Sequence, residues 1–280
     1  MQFVRLDASP KPFDLDAQER DLFEAAHELS RFHRGAGQRR NVQISRFLHD
    51  PATVRAAASL PVPGPSDLVL PLPTVDLPAT SLTAVLAARQ SPQRNQLSGH
   101  VTLEEVAAIL GLAARSQRTR TSQTAPDAVY HFRPYPSGGA LYPCDIHVVP
   151  GAVNGVDRVC RYDARDHSLV DYGVPAGNFL AVETAPGQAP PPVAFAISAT
   201  LDRTTAKYGP RGYRFALLEA GHIGQNLILA ATALGLPSLV YSSYYDAELE
   251  RWLGLDGVNE VILSVVLVGG NPTPCPSARS

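Results

Sequence analysis

Residues 207–236 read KYGPRGYRFALLEAGHIGQNLILAATALGL, and they contain the longest helical pattern in the chain. Between Arg211 and Leu234, apolar side chains nearly encircle the helix axis and small residues fill the positions between them. A helix that is apolar on every side is buried. We therefore predict that this helix is buried, that Gly235 ends it, and that another subunit covers part of its surface.

Shorter patterns elsewhere predict strands and further helices. A continuous apolar run such as VILSVVLV is typical of an interior strand, and Thr102 with Glu105 forms a capping box that starts a helix. The predicted strands are 146–149, 159–162, 169–172, 193–199 and 261–268, and the predicted helices are 82–88, 103–110 (ended by Gly111) and 246–253. Strands and helices do not strictly alternate, so the pattern favours an α+β fold over a doubly wound parallel sheet.

The first 80 residues differ in character from the rest. Helically spaced apolar residues predict a helix over 14–34, which Gly35-Ala36-Gly37 would end. Prolines crowd residues 61–80 and predict an extended linker lying on a surface. We accordingly divide the chain into a helical and extended appendage, 1–80, and a main domain, 81–280. Inside the main domain, the polar residues 115–128 predict a mobile basic loop.

Composition excludes several classes of function. The 280 residues carry 24 Lys and Arg against 26 Asp and Glu, a balance that argues against electrostatic binding of nucleic acid. No apolar run approaches the roughly 20 residues of a membrane span, and the N-terminus lacks the apolar core of a secretory signal. The three cysteines are widely spaced, and no metal-ligand motif is present. We therefore predict a cytoplasmic protein without a membrane span or metal site.

Three stretches carry residues suited to chemistry. Arginines and a hydroxyl in RQSPQR (89–94) could bind a phosphate, although the spacing alone favours a solvated surface turn. The glycines of PSGGALYP (136–143) would let a flat ligand or a phosphate approach the backbone, or they could simply form a turn. Lys207 and Tyr208 become useful acid and base groups if their pKa values shift; otherwise they are an exposed lysine and a packed tyrosine.

Taken together, these stretches resemble the SagB/ThcOx-type dehydrogenases, a branch of the FMN-dependent nitroreductase-like superfamily. The resemblance covers about 81–280. It is carried by PSGGALYP (136–143) and KYGPRGYRFALLEAGHIGQN (207–226), which are specific in that order and separation. RQSPQR (89–94) and VVLVGG (265–270) add weaker support.

The resemblance implies a nitroreductase-like α+β fold with a mostly antiparallel central sheet flanked by helices. It also implies a homodimer that holds FMN in each of two interface clefts. By similarity, Lys207 and Tyr208 are the catalytic pair, and Arg89 and Ser91 contact the FMN phosphate. The same similarity places Pro136, Ser137, Gly138 and Gly139 beside the isoalloxazine ring.

This chain departs from the family pattern at several cofactor positions. Gln90 and Gln93 stand where the pattern has arginines, so the phosphate contact could involve Arg94 or Arg279 instead. Ser242 and Ser243 replace a loop that is often glycine-rich, and their backbone would still face the flavin. Gly270, which closes VVLVGG, completes the predicted cofactor contacts.

The activity implied by similarity is the oxidation of a thiazoline or oxazoline ring to the azole in a ribosomally made peptide. The usual partner is a cyclodehydratase, and oxygen would reoxidise the flavin. An FMN oxidoreductase of the same fold remains open as an alternative, acting on a nonribosomal-peptide azoline or on a small electrophile with NAD(P)H. A flavin-bearing scaffold that stabilises a cyclodehydratase complex is a second alternative.

Overall fold

A seven-stranded antiparallel sheet forms the middle of the molecule. The computed structural model describes residues 24–270 except 32–33, 60–62, 65–66, 77–78, 152, 154, 176–178 and 185–188. The strand order is β1-β6-β5-β4-β7-β9-β8, and every neighbouring pair runs antiparallel. Its strands are β1 (Leu68–Pro71), β4 (Cys144–Pro150), β5 (Arg158–Asp163), β6 (Ser168–Pro175), β7 (Val193–Thr200), β8 (Ser238–Tyr241) and β9 (Glu260–Val268). The predicted α+β class with an antiparallel sheet is confirmed.

Helices cover both faces of this sheet. They are α1 (Arg34–His49), α2 (Pro51–Ala58), α3 (Leu82–Ala88), α4 (Leu103–Ala114), α5 (Asp202–Tyr208), α6 (Arg211–Ala233) and α7 (Asp246–Leu253), and residues 24–29 are also helical. β7 shows why two layers form. Phe195 and Ile197 belong to the core cluster that includes α6, whereas Ala194 and Ala196 belong to the cluster that includes α7. Alternate side chains of one strand thus fill two cores.

Helix α6 packs its small residues against the sheet but is not enclosed on every side within one chain. Gly224 lies close to Val266 and Ile197. The same helix exposes Tyr213, Leu217 and Leu218 toward its N-terminal half, with exposed fractions of 46%, 43% and 55%. The prediction that a second subunit covers part of this helix stays a prediction.

Three sequence predictions about secondary structure were wrong. α1 runs through Gly35 and Gly37, where a break was expected; a helical glycine costs only about 1 kcal/mol, and contacts of the last turns of α1 with α5 stabilise the helix. α4 continues past Gly111 to Ala114, because the last two alanines are fully buried. Residues 115–128 are not a loop throughout, since β2 (Arg118–Thr121) pairs with β3 (Val129–Phe132) as a hairpin.

The proline-rich segment is partly built into the sheet. β1 pairs with β6 from Leu68 opposite Asp171 to Pro71 opposite Ser168, so it forms an edge strand rather than a linker lying on a surface. Proline is tolerated at such an edge because no neighbour needs its missing N–H. The division of the chain at residue 80 stays a prediction. Among the described residues, no helix combines the length and the apolarity that crossing a membrane requires.

Candidate active site

The predicted catalytic pair lies at the C-terminal end of α5. Lys207 and Tyr208 are its last two residues, and Gly209 follows with a φ of 60°, turning the chain toward α6. The Tyr208 ring packs edge-on against Phe215 in α6, with ring centroids 5.0 Å apart. The two helices α5 and α6 together therefore hold the Tyr208 phenol in one orientation.

The glycine turn of PSGGALYP lies directly against this pair. Gly139 has a φ of 68°, a left-handed conformation that glycine adopts most readily. A Cβ atom at this position would lie 2.8 Å from Lys207 Nζ and would overlap Tyr208 Oη. The absence of a side chain at Gly139 is thus what lets the amine and the phenol reach the turn. Two motifs that are 68 residues apart in the sequence (139 and 207) meet here.

Burial shifts the pKa values of both groups in opposite directions. Lys207 is 6% exposed, and burial lowers the pKa of its ammonium because the charged form is poorly solvated. Burial raises the pKa of the Tyr208 phenol for the same reason. The Phe47 ring from α1 covers the amine, with Lys207 Nζ 5.2 Å from its centroid. The pair therefore combines an amine that loses its proton more readily and a phenol that keeps its proton.

A cavity of about 720 Å³, which we call the Lys207 cavity, opens beside the pair. Its floor consists of Lys207 and the turn from Gly139 to Leu141. The last turn of α1 and Val54 of α2 form one wall, and residues 120–124 with Tyr130 form the other. A group bound in this cavity would contact Lys207 directly.

A cluster of buried polar groups holds the two ends of the glycine turn in place. Glu219 of α6 is 1% exposed, and its Oε1 accepts a hydrogen bond from the Cys144 N–H at 3.3 Å. Ser137 Oγ accepts from the Tyr142 N–H at 2.9 Å. Burial raises the pKa of Glu219 to about 7, against the hydrogen bonds to Ser137 and Cys144 and the nearby Arg133 charge. Glu219 is not among the site residues predicted from the sequence; the signal that could have found it is a carboxylate on an otherwise apolar helix.

The predicted phosphate loop lies at a different cavity. Arg89 follows α3, and its Nη1 donates to Ser91 Oγ at 3.2 Å. Gln90, Ser91 and Gln93 line a cavity of about 450 Å³ together with the loop after α6. Within this chain, that cavity and the Lys207 cavity share no lining residue. The phosphate role of these residues stays a prediction.

Arg94 is engaged in an ion pair that sequence reasoning did not foresee. Its Nε and Nη2 donate to Glu183 Oε1 at 2.9 and 2.7 Å, and Nη2 also donates to the Ala189 carbonyl. The two side chains are 11% and 0% exposed. One edge of the guanidinium is therefore committed to a carboxylate. Its predicted contact with the phosphate would have to use the remaining nitrogen, Nη1.

The other predicted cofactor residues have clear positions. Ser242 and Ser243 follow β8 on the surface, and the Ser243 carbonyl accepts from the Thr184 N–H at 2.9 Å. The Gly270 N–H donates to the Ser98 carbonyl at 2.8 Å, and a Cβ there would overlap the His100 backbone, so close packing explains this glycine. Arg279 lies outside the described residues.

Pro136 precedes the turn beside the Lys-Tyr pair, and Gly138 is the first residue of that turn. A Cβ on Gly138 would lie 3.0 Å from Phe215 Cδ2, the same ring that holds Tyr208. The structure thus brings Gly138, Gly139, Lys207 and Tyr208 together, whereas Gln90, Ser91 and Gln93 line a separate cavity. The contribution of Pro136 and Ser137 to a flavin site stays a prediction.

Comparison with solved structures supports the fold. A provisionally named nitroreductase of Ralstonia eutropha JMP134 superposes with a TM-score of 0.59 at 21% identity, over 77% of this chain and 96% of that one. A chain of the E. coli microcin synthetase McbBCD complex with truncated pro-MccB17 bound superposes with a TM-score of 0.55 at 21% identity, over 92% and 95%.

Curated relatives share more of the sequence. MJ1384 of Methanocaldococcus jannaschii, provisionally named a nitroreductase, is 34% identical over 182 residues, 64% of this chain and 86% of that protein. The microcin B17-processing protein McbC of E. coli is 30% identical over 142 residues, 48% and 52%. The trifolitoxin-processing protein TfxB of Rhizobium leguminosarum bv. trifolii is 29% identical over 197 residues, 67% and 51%. The chain spans about half the length of these two processing proteins.

The family model described as the Nitroreductase family matches residues 86–270, which include the glycine turn, the Lys-Tyr pair and β4 to β9. On this match, and on its similarity to MJ1384, the chain belongs to the Nitroreductase family.

Proposed function

We propose that this protein is an FMN-dependent oxidoreductase that converts thiazoline or oxazoline rings to azoles in a ribosomally made peptide. The observation that carries the proposal is the close approach of Lys207 and Tyr208 to Gly139, with Lys207 and Gly139 lining a cavity large enough for a substrate. Family membership supports an oxidoreductase. Two relatives named for processing microcin B17 and trifolitoxin support a peptide substrate.

The chain carries donors that suit the FMN phosphate. Arg89 and Ser91 present a guanidinium and a hydroxyl 3.2 Å apart beside a cavity lined with amide side chains, a donor set suited to a phosphate. Arg94 is the weaker candidate because Glu183 already occupies one edge of its guanidinium. When bound, FMN supplies the two-electron acceptor that takes a hydride from substrate carbon.

The pair of residues supplies the proton chemistry. Aromatising an azoline breaks two C–H bonds on neighbouring ring carbons and forms one C=C bond, so the ring loses a proton and a hydride. Because burial lowers its pKa, Lys207 Nζ has a larger neutral fraction and serves as the base that takes the proton. Tyr208 keeps its proton and donates a hydrogen bond to the ring nitrogen, or relays a proton from it.

Two partners follow from the proposal. The exposed stripe of Tyr213, Leu217 and Leu218 on α6 is an apolar surface suited to a second copy of the chain. A cyclodehydratase, which makes the azoline, would supply the substrate; the neighbour of similar fold is a chain of the E. coli microcin synthetase McbBCD complex, which has truncated pro-MccB17 bound.

The test is anaerobic mixing of the purified flavin-loaded protein with a peptide that carries one thiazoline. Bleaching of the flavin absorbance together with loss of two hydrogens from the peptide is the expected result. Lys207→Ala and Tyr208→Phe should slow bleaching by about 100-fold or more, typical of losing an acid-base group. Tyr172→Phe is the matched control, because this tyrosine lines neither the Lys207 cavity nor the cavity beside Ser91 and hydrogen-bonds His147 in the sheet instead.

Other outcomes separate the alternatives. Bleaching by NAD(P)H but not by the peptide would favour a small-molecule reductase, which the provisional name of MJ1384 also suggests. Azole formation by a cyclodehydratase complex that is equally fast with Lys207→Ala would favour the scaffold role. A protein that binds no FMN would refute the proposal.

A further inference from the structure

The Lys207 cavity has one wall that the matched family region does not supply. The family model begins at residue 86, whereas Phe47, Leu48 and Val54 come from α1 and α2. Helix α1 contacts α5, the helix that carries Lys207 and Tyr208, because Gln43 Nε2 donates to the Ala206 carbonyl at 2.8 Å. An added element thus closes one side of the space in front of Lys207.

The two walls are fixed to each other at one end. Thr124 Oγ1 of the hairpin donates to the Leu48 carbonyl at 3.0 Å, and Arg55 of α2 pairs with Asp127 at 2.7 Å. Beneath these contacts, Val54 is buried in a small apolar cluster with alanines of the hairpin loop. These contacts between the two walls close one end of the cavity, and they form without a bound molecule.

The lining favours a peptide over a single ring. A volume of about 720 Å³ lies well inside the range of roughly 300–1,000 Å³ for sites that enclose a whole small ligand, so the cavity has room for more than one five-membered ring. Thr121, Ser122 and Gln123 contribute neutral hydrogen-bonding groups of the kind that pair with peptide amides. Phe47 and Tyr130 add aromatic surface.

The charge of the lining has one sign. Arg120 and Lys207 are the Arg and Lys side chains that line the cavity, and none of its described lining residues is acidic. Arg120 is exposed and stacks over Phe132 at 5.4 Å, which holds its guanidinium on the hairpin. Arg118 stacks over the same ring at 4.9 Å and is also exposed, yet it does not line the cavity.

We propose that the Lys207 cavity holds the peptide segment that flanks the ring under oxidation, and that Arg120 selects acidic over basic flanking residues. The inference rests on the proposed function and adds to it the site and the charge preference of the peptide. Exposed charge pairs contribute little, so the expected preference is about three- to fivefold in Kd for an acidic over a basic flank.

The test measures binding without turnover. Two fluorescent peptides that already carry a thiazole, identical except for Glu or Lys beside the ring, are titrated into the flavin-loaded protein and followed by anisotropy. Wild type and Arg118→Glu should both bind the Glu peptide more tightly. Arg120→Glu should bind the Lys peptide more tightly, an inversion that misfolding could not produce.

The outcomes separate the two proposals. If Arg118→Glu and Arg120→Glu change the preference equally, or neither changes it, or neither peptide binds, the cavity is not the selective peptide site. If the preference inverts only in Arg120→Glu, the site stands. Oxidation of the matching thiazoline peptide is measured in parallel; its failure refutes the proposed function without removing an inverted binding preference.

Discussion

Substituting alanine for Gly139 tests the geometry on which the proposed function depends. A left-handed alanine costs about 1–2 kcal/mol, and forcing its Cβ against Lys207 Nζ and Tyr208 Oη adds about 1–3 kcal/mol of overpacking. Gly254 is the matched control: its φ is 74°, a Cβ there would meet no atom within 4 Å, and it lines neither of the two cavities described above. Gly254→Ala therefore has the backbone cost without the contact.

The assay compares thermal unfolding and azoline-dependent bleaching of the two variants. At about 2 °C per kcal/mol for a chain of this size, Gly254→Ala should lower Tm by about 2–4 °C and Gly139→Ala by about 4–10 °C. At a temperature where both are folded, Gly139→Ala should lose about 100-fold in rate, because a displacement of about 1 Å at the reacting groups has that effect. Equal rates in the two variants would refute the role of the glycine contact.

Three further predictions concern charged groups. Lys207 is one of two lysines in the chain. If the rate of labelling by an amine reagent is measured against pH, the rate at Lys207 should reach half its maximum at a lower pH than the rate at Lys11. The same pH profile for both lysines would contradict the lowered pKa of Lys207. Because the folded pKa of Glu219 is raised to about 7, the stability from this group is present below pH 4.5 and is lost as pH rises through 7. Urea unfolding at pH 5 and 8 should show Glu219→Gln gaining up to about 3 kcal/mol relative to wild type at the higher pH, and parallel pH curves would argue against it. Arg94→Ala should cost about 3–5 kcal/mol in urea unfolding because it leaves a buried carboxylate unpaired; Arg55→Ala, which removes an exposed pair, should change stability much less, and similar losses would contradict this reading.

Elements with a signal inside one segment could be predicted from the sequence. The apolar pattern of α6, the β-branched run of β9 and the Thr102 capping box all appear where expected, with ends displaced by a residue or a few. Each depends on interactions between near neighbours in sequence. The same holds for the hairpin of β5 and β6, whose two strands are joined by a short polar turn.

The missed elements depend on distant partners. RTRT in β2 is polar at every position, so no alternation marks it as a strand; its arginines instead stack on Phe132 of β3. β1 becomes a strand only because the edge of β6 is available to it. The Arg94–Glu183 pair joins residues 89 positions apart, and a local pattern at 89–94 could only indicate a cation, not its partner.

The candidate site shows the same division between local and distant information. The family resemblance predicted Lys207 and Tyr208 as the reacting groups, but the shifts in their pKa values come from burial. Part of the burial of Lys207 comes from Phe47, which lies 160 positions earlier in the chain. Phe47 lies outside the region that the family model matches. A motif therefore specifies which groups are available, whereas the surrounding packing determines their protonation. It follows that two members of this family with the same Lys-Tyr pair would differ in reactivity wherever their N-terminal segments cover the amine differently.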